Sequence, residues 1–70
     1  MEYVAVFEKC DDNSFSVYVP DLPGCTSSGD TLEEAERMIE EAVALHIESL
    51  RAHREVVPPP AALTKLVRAA

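Results

Sequence analysis

Cations are scarce in this sequence. Six lysines and arginines stand against 13 aspartates and glutamates, giving a formal charge of −7 and a pI near 4.5. Recognition of duplex DNA rests largely on cationic contacts to phosphate, so an isolated domain of this balance is not expected to read DNA by itself. Long apolar runs are missing too. No stretch approaches the roughly 18 apolar residues of a membrane span, and an opening that carries Glu2 and Glu8 does not read as a secretory signal. Cysteine is limited to Cys10 and Cys25, without CxxC or zinc spacing. With no secretory signal, both are expected as free thiols in a reducing cytoplasm. Length is the last shortage: 70 residues make one small core and exclude a doubly wound nucleotide fold, a barrel or a two-domain enzyme.

The composition that remains is globular, since 47% apolar and 27% charged residues do not describe a disordered chain. Charge is distributed unevenly. Residues 1–50 hold 12 acids and 2 bases, whereas residues 51–70 hold 1 acid and 4 bases. An acidic body with a mildly basic tail suits a cationic partner, or simply a soluble surface.

The first twenty residues read as a β-hairpin. Glu2–Lys9 contains Tyr3, Val4, Ala5, Val6 and Phe7, a β-rich run apolar on both faces, which suggests a central strand or one that meets a second subunit. Cys10-Asp11-Asp12-Asn13 is a turn, because Asp and Asn tolerate left-handed geometry and bond their own backbone. Ser14–Val19 alternates, with Phe15, Val17 and Val19 on the buried side. Pro20 stops that strand for want of an amide proton. Pro23-Gly24 suits the middle of a type II turn, and Cys25–Ser28 follows as a short edge strand broken by Gly29-Asp30.

A long helix comes next. Thr31-Leu32-Glu33-Glu34 fits a capping box, in which Thr31 accepts from the Glu34 amide and the Glu34 side chain reaches back to Thr31. Leu32, Ala35, Ile39, Ala42, Val43, His46 and Leu50 keep the spacing of a buried stripe, widened by Met38, Leu45 and Ile47. Acids crowd the first turn, and Arg51, His53 and Arg54 the last, which complements the helix dipole. At about 23 residues, roughly 34 Å, this helix would overhang strands of roughly 20–26 Å. Its last turns would then need the tail or another subunit to cover them. Val56-Val57 offers a short fourth strand, but Pro58-Pro59-Pro60 cannot continue inside a sheet. Ala61–Ala70 holds Leu63, Leu66 and Val67 at helical spacing, though a strand is open as well. The residues thus describe an α+β order: a hairpin, a short candidate edge strand and one long helix, with room for a short fourth strand.

Two blocks, Val19-Pro20-Asp21-Leu22-Pro23-Gly24-Cys25 and Gly29-Asp30-Thr31-Leu32-Glu33-Glu34-Ala35, followed by a long helix and Val56-Val57-Pro58-Pro59-Pro60, closely resemble the HicB-like antitoxin domain of toxin–antitoxin systems. The resemblance covers about Tyr3 to Pro60. It implies an α+β fold, a three-stranded antiparallel sheet packed on one long helix with a possible short fourth strand (β-β-β-α-β), similar to a truncated ribonuclease H fold and assigned to residues 1–60, with 61–70 as a tail. It also implies binding and neutralisation of a small basic HicA-type toxin, a ribonuclease that cuts messenger RNA with a histidine. Neutralisation would be stoichiometric occlusion without chemistry or cofactor. Many family members carry a C-terminal DNA-binding domain; Ala61–Ala70 supplies only Lys65 and Arg68 as bases, so operator binding by this chain alone is not expected. The acids expected to face a basic partner are Glu33, Glu36, Glu40, Glu41 and Glu48; a solvated helix face is the ordinary reading of the same residues.

Pro20, Asp21, Leu22, Pro23 and Gly24 could form a recognition loop, but a structural turn explains them more simply. Cys25 has no electropositive neighbours in sequence and reads as a packed small residue. His46 and His53 share a face at a spacing of seven, not the three or four that helical metal pairs use, so His46 reads as a core-edge histidine. Asp11-Asp12-Asn13 lacks the glycine and terminal glutamate of a calcium loop. A ribonuclease-H-like metal nuclease would need an acid inside the first strand, where only Glu8 stands at the end, and no nucleophile motif is present. The expectation is a non-enzymatic cytoplasmic antitoxin, with no metal. A homo-oligomer, dimer or tetramer, is expected from the small core and the two-sided apolar strand. An orphan binding module that has lost its toxin is the competing reading.

Overall fold

The computed structural model describes all 70 residues, Met1–Ala70. Three strands, β1 (Val6–Lys9), β2 (Phe15–Tyr18) and β3 (Thr26–Gly29), precede a single helix, α1 (Leu32–Ala52). The sheet is antiparallel in the order β1-β2-β3, with Phe7, Val17 and Ser27 in one cross-strand row and Val6, Tyr18 and Thr26 in the next. The helix lies across one face, chiefly under β3 and β2. The molecule is correspondingly thin, 43 × 29 × 16 Å.

Strand β2 behaves as its alternation predicts. Val17 and Val19 are buried at 2% and 3% exposure, Phe15 packs beside them, and Tyr18 points to solvent. The β1–β2 turn also follows its sequence: Asn13 takes φ 69°, its amide donates to the Cys10 carbonyl, and the Cys10 amide donates to the Ser14 carbonyl. Asp12 accepts from the Ser14 hydroxyl at 2.6 Å and the Ser14 amide at 3.0 Å, which together hold its carboxyl below the usual range.

The first strand departs from expectation. It begins at Val6, not Glu2, and it is an edge strand, not a central one. Its register explains the late start: Val6 pairs with Tyr18, so Val4 would stand opposite Pro20, which has no amide to offer. The third strand runs one residue later than read, so Gly29 is its last member and not its terminator.

Gly29 is where sheet and helix touch most closely. A Cβ built there would lie 2.5 Å from the Ala35 amide nitrogen and 2.9 Å from the Ala35 Cα. Only hydrogen fits, and that absence lets Ala35 sit fully buried against β3. Helix entry is fixed just before: Thr31 Oγ1 accepts from the Glu34 amide at 3.1 Å. The reciprocal half of the cap differs from the sequence reading. Glu34 Oε1 accepts from the Asp30 amide at 3.1 Å and not from Thr31, so the side chain reaches one residue further back than the box requires and satisfies a different free donor.

The buried stripe is narrower than the periodicity suggests. Ala35 and Ile39 are the buried residues of α1; Ala42, Val43 and Ile47 pack partly against the core, and His46 and Leu50 are half-buried. Leu32, Met38 and Leu45 remain 40%, 38% and 60% exposed. The cause is a mismatch of lengths. A 21-residue helix is about 31 Å long, whereas four-residue strands span about 13 Å. The helix ends two residues early, with His53 as its cap and Arg54 at φ 57°, leaving Arg51 as the base of the last turn.

No fourth strand forms from Val56-Val57. The chain runs irregularly from Arg54 to Ala70, with Val56 exposed and Val57 and Pro58 half-buried. It turns back toward the sheet, where the Tyr3 hydroxyl donates to the Pro58 carbonyl.

Candidate interaction site

The Pro20–Gly24 segment is built from two consecutive turns. The Leu22 amide donates to the Val19 carbonyl and the Cys25 amide to the Leu22 carbonyl, while Gly24 supplies φ +84° as a type II turn requires. The three-residue step carries Val19, Leu22 and Cys25 inward at 3%, 0% and 3% exposure, and Pro20, Pro23 and Gly24 outward. Leu22 is thus an anchor; full burial of such a side chain contributes about 1.5–3 kcal/mol. Burial also pushes the Cys25 thiol above its ordinary pKa, which suits a packed group and not a reactive one. Both cysteines are free, Cys10 at the surface and Cys25 in the core.

Asp21 has a role that no local pattern announces. Its Oδ2 accepts from the amides of Ala61 at 2.9 Å and Ala62 at 3.0 Å, forty residues away in sequence. These two bonds, the Ala61 one first, hold the carboxyl below its usual range. The signature turn therefore fills the core with Leu22 and tethers the tail with Asp21.

Beside the open edge of the sheet lies a groove of about 500 Å³, between the N-terminal segment with β1 and the flank of α1. Tyr3, Ala5, Phe7, Ile39 and Val43 make an apolar floor, and Glu2, Glu36 and Glu40 stand around it. Of the five helix acids singled out from the sequence, the structure brings Glu36 and Glu40 to this groove. Glu48 borders a second depression with Met1, Ile47 and Arg51. Glu33 and Glu41 are exposed on the helix and line neither. The sequence reading missed the contribution of Glu2, whose proximity to the helix depends on the path of the chain before β1. Thr31 and Glu34 act as a cap and face no cavity. No three His, Cys, Asp or Glu side chains converge as a metal-holding group. No helix is long and apolar enough to cross a membrane.

The arrangement offers two modes of contact: an apolar cleft with an acidic rim, and an acidic helix surface whose field extends about a Debye length into solvent. Residues 3–70 match the family described as the HicB-like antitoxin of bacterial toxin–antitoxin systems. A UPF0150 protein of Thermoplasma acidophilum is 43% identical over 58 residues, covering 83% of this chain and 84% of the relative. A UPF0150 protein of Synechocystis is 46% identical over 56 residues, covering 80% and 71%. An uncharacterized 14.9 kDa protein from the rep-hol intergenic region of Haemophilus phage HP1 is 45% identical over 58 residues, 83% of this chain and 43% of that protein. With its β-β-β-α fold, its two signature blocks in place and a match over nearly its whole length, the chain belongs to the HicB-like antitoxin family.

Proposed function

We propose that this protein is a cytoplasmic antitoxin that binds a small basic toxin of the HicA type and neutralises it by occlusion. The observation that carries this reading is the exposure of Glu33, Glu36, Glu40, Glu41 and Glu48 along one face-bearing helix of a family-typical fold. A toxin that grips RNA needs a cationic surface, and such a surface is attracted by this helix before contact, which raises the encounter rate and selects the partner. Binding then covers the toxin's RNA-binding surface or its catalytic histidine; the antitoxin itself performs no chemistry.

The test is co-expression with a small basic protein encoded beside this gene, scoring growth and co-purification. Restored growth, a one-to-one complex and an affinity that falls with salt are expected. Reversal of Glu33, Glu41 and Glu48 to lysine should lower the association rate by about tenfold or more. No rescue by the intact chain would instead make the protein a binding module without a toxin, and salt-independent affinity would remove the helix acids from the interface.

A further inference from the structure

Two unsatisfied features of this molecule are chemically matched. One is the groove between β1 and α1, whose floor includes Phe7 and Val43 and whose rim carries Glu2, Glu36 and Glu40. The other is the end of the tail. Leu63, Leu66 and Val67 are 95%, 100% and 86% exposed, and the segment from Ala61 to Ala70 contains Lys65 and Arg68 but no acid. Exposed apolar side chains grouped in this way commonly mark an interaction site.

We propose that the Leu63–Ala70 segment of a second copy of this chain occupies the groove, and that two copies exchange these segments reciprocally. The tether favours exchange. Asp21 grips the Ala61 and Ala62 amides, so the eight residues beyond leave the body from a fixed point. Even with Leu63–Val67 wound into one helical turn they extend roughly 17–18 Å, enough to enter the groove of an abutting copy. Leu63, Leu66 and Val67 fall at i, i+3 and i+4, so one turn of helix formed on docking gathers them on a single face. Lys65 and Arg68 then lie away from the floor, free to reach the glutamates at the rim with their long side chains. Reciprocal exchange makes the contact isologous and closed, which yields a dimer and not a fibre. It also supplies apolar burial that a core of six side chains lacks.

Light scattering on the full chain tests this. The wild-type protein should have twice the 7.7 kDa chain mass. Leu66→Asp with Val67→Asp should halve that mass without altering the far-UV circular dichroism, since both side chains are outside the core. Glu36→Lys with Glu40→Lys should also be monomeric, as should Lys65→Glu with Arg68→Glu. Mixing these two charge-reversed proteins should restore a heterodimer. A spin label at Ala69→Cys, in a Cys10→Ser background, should broaden the NMR signals of Phe7 and Val43 in an isotopically labelled partner chain. A monomeric wild type, a dimer that survives Leu66→Asp with Val67→Asp, or broadening confined to the spin-labelled chain itself would overturn the proposal. No toxin enters the measurement, so its outcome is separate from that of the antitoxin reading.

Discussion

Replacing Gly29 by alanine should be among the most damaging single-methyl additions this fold can receive. The backbone there is not in the left-handed region, so alanine has no conformational objection to the site. The objection is steric. Ordinary contact begins near 3.4 Å, and the new Cβ would stand 2.5 Å from the Ala35 nitrogen, so the helix must retreat by about 0.9 Å. The obstructing atoms belong to the backbone of Glu34 and Ala35 and cannot rotate aside. Retreat loosens Ala35 and Ile39 from Val17 and strains the cap at Thr31. Overpacking of this kind costs about 1–3 kcal/mol, and the upper end applies where main chain meets main chain. A domain of this size has a total stability of roughly 4–10 kcal/mol, so the loss is a large fraction. The control is Gly24→Ala, where φ is +84° and nothing lies within 4 Å. Its cost comes from backbone strain alone, about 1–2 kcal/mol, and Gly24→Asn should recover part of it. Urea unfolding followed by circular dichroism measures both. If Gly29→Ala unfolds at the wild-type midpoint, or Gly24→Asn is as harmful as Gly24→Ala, the assignment of two different reasons to the two glycines is wrong.

Two further outcomes follow from the cap and the tether. Thr31→Ala and Glu34→Ala should each destabilise the protein by about 1 kcal/mol, and the double variant by less than the sum, since both side chains fix the same helix entry; additive losses in urea unfolding would show the two hydrogen bonds to be independent. Asp21 has its pKa lowered by the Ala61 and Ala62 amides, so its contribution is complete above the ordinary carboxylate value of 3.8 and is lost as pH falls through the depressed folded-state value. Amide exchange at Ala61 and Ala62 should therefore be slowed at neutral pH, accelerated in acid beyond the intrinsic trend, and accelerated at all pH values by Asp21→Ala; equal protection in the wild type and Asp21→Ala would remove the tether.

Features decided within a few residues were legible in the sequence. The alternation of Phe15, Val17 and Val19 named the buried face of β2, Asn13 and Gly24 marked two of the three positive-φ positions, and Thr31 announced the start of α1. Each depends on local sterics or on hydrogen bonds spanning three or four residues, so neighbours suffice to determine it. The helix stripe was legible as a period but not in extent, because periodicity cannot say how much sheet is available to cover it. The five helix acids were identifiable as a charged surface; that only Glu36 and Glu40 meet the groove was not.

The scarcity of cations, the missing membrane-length run and the small size were fixed by composition, and with the two signature blocks they sufficed to indicate the family. Tertiary structure alone decided the rest. The late start of β1 follows from where Pro20 falls in the pairing register, and the grip of Asp21 on Ala61 and Ala62 from a path closed over forty residues. These are contacts between segments whose separation in the chain carries no information about their separation in space, and only the packed chain brings them together.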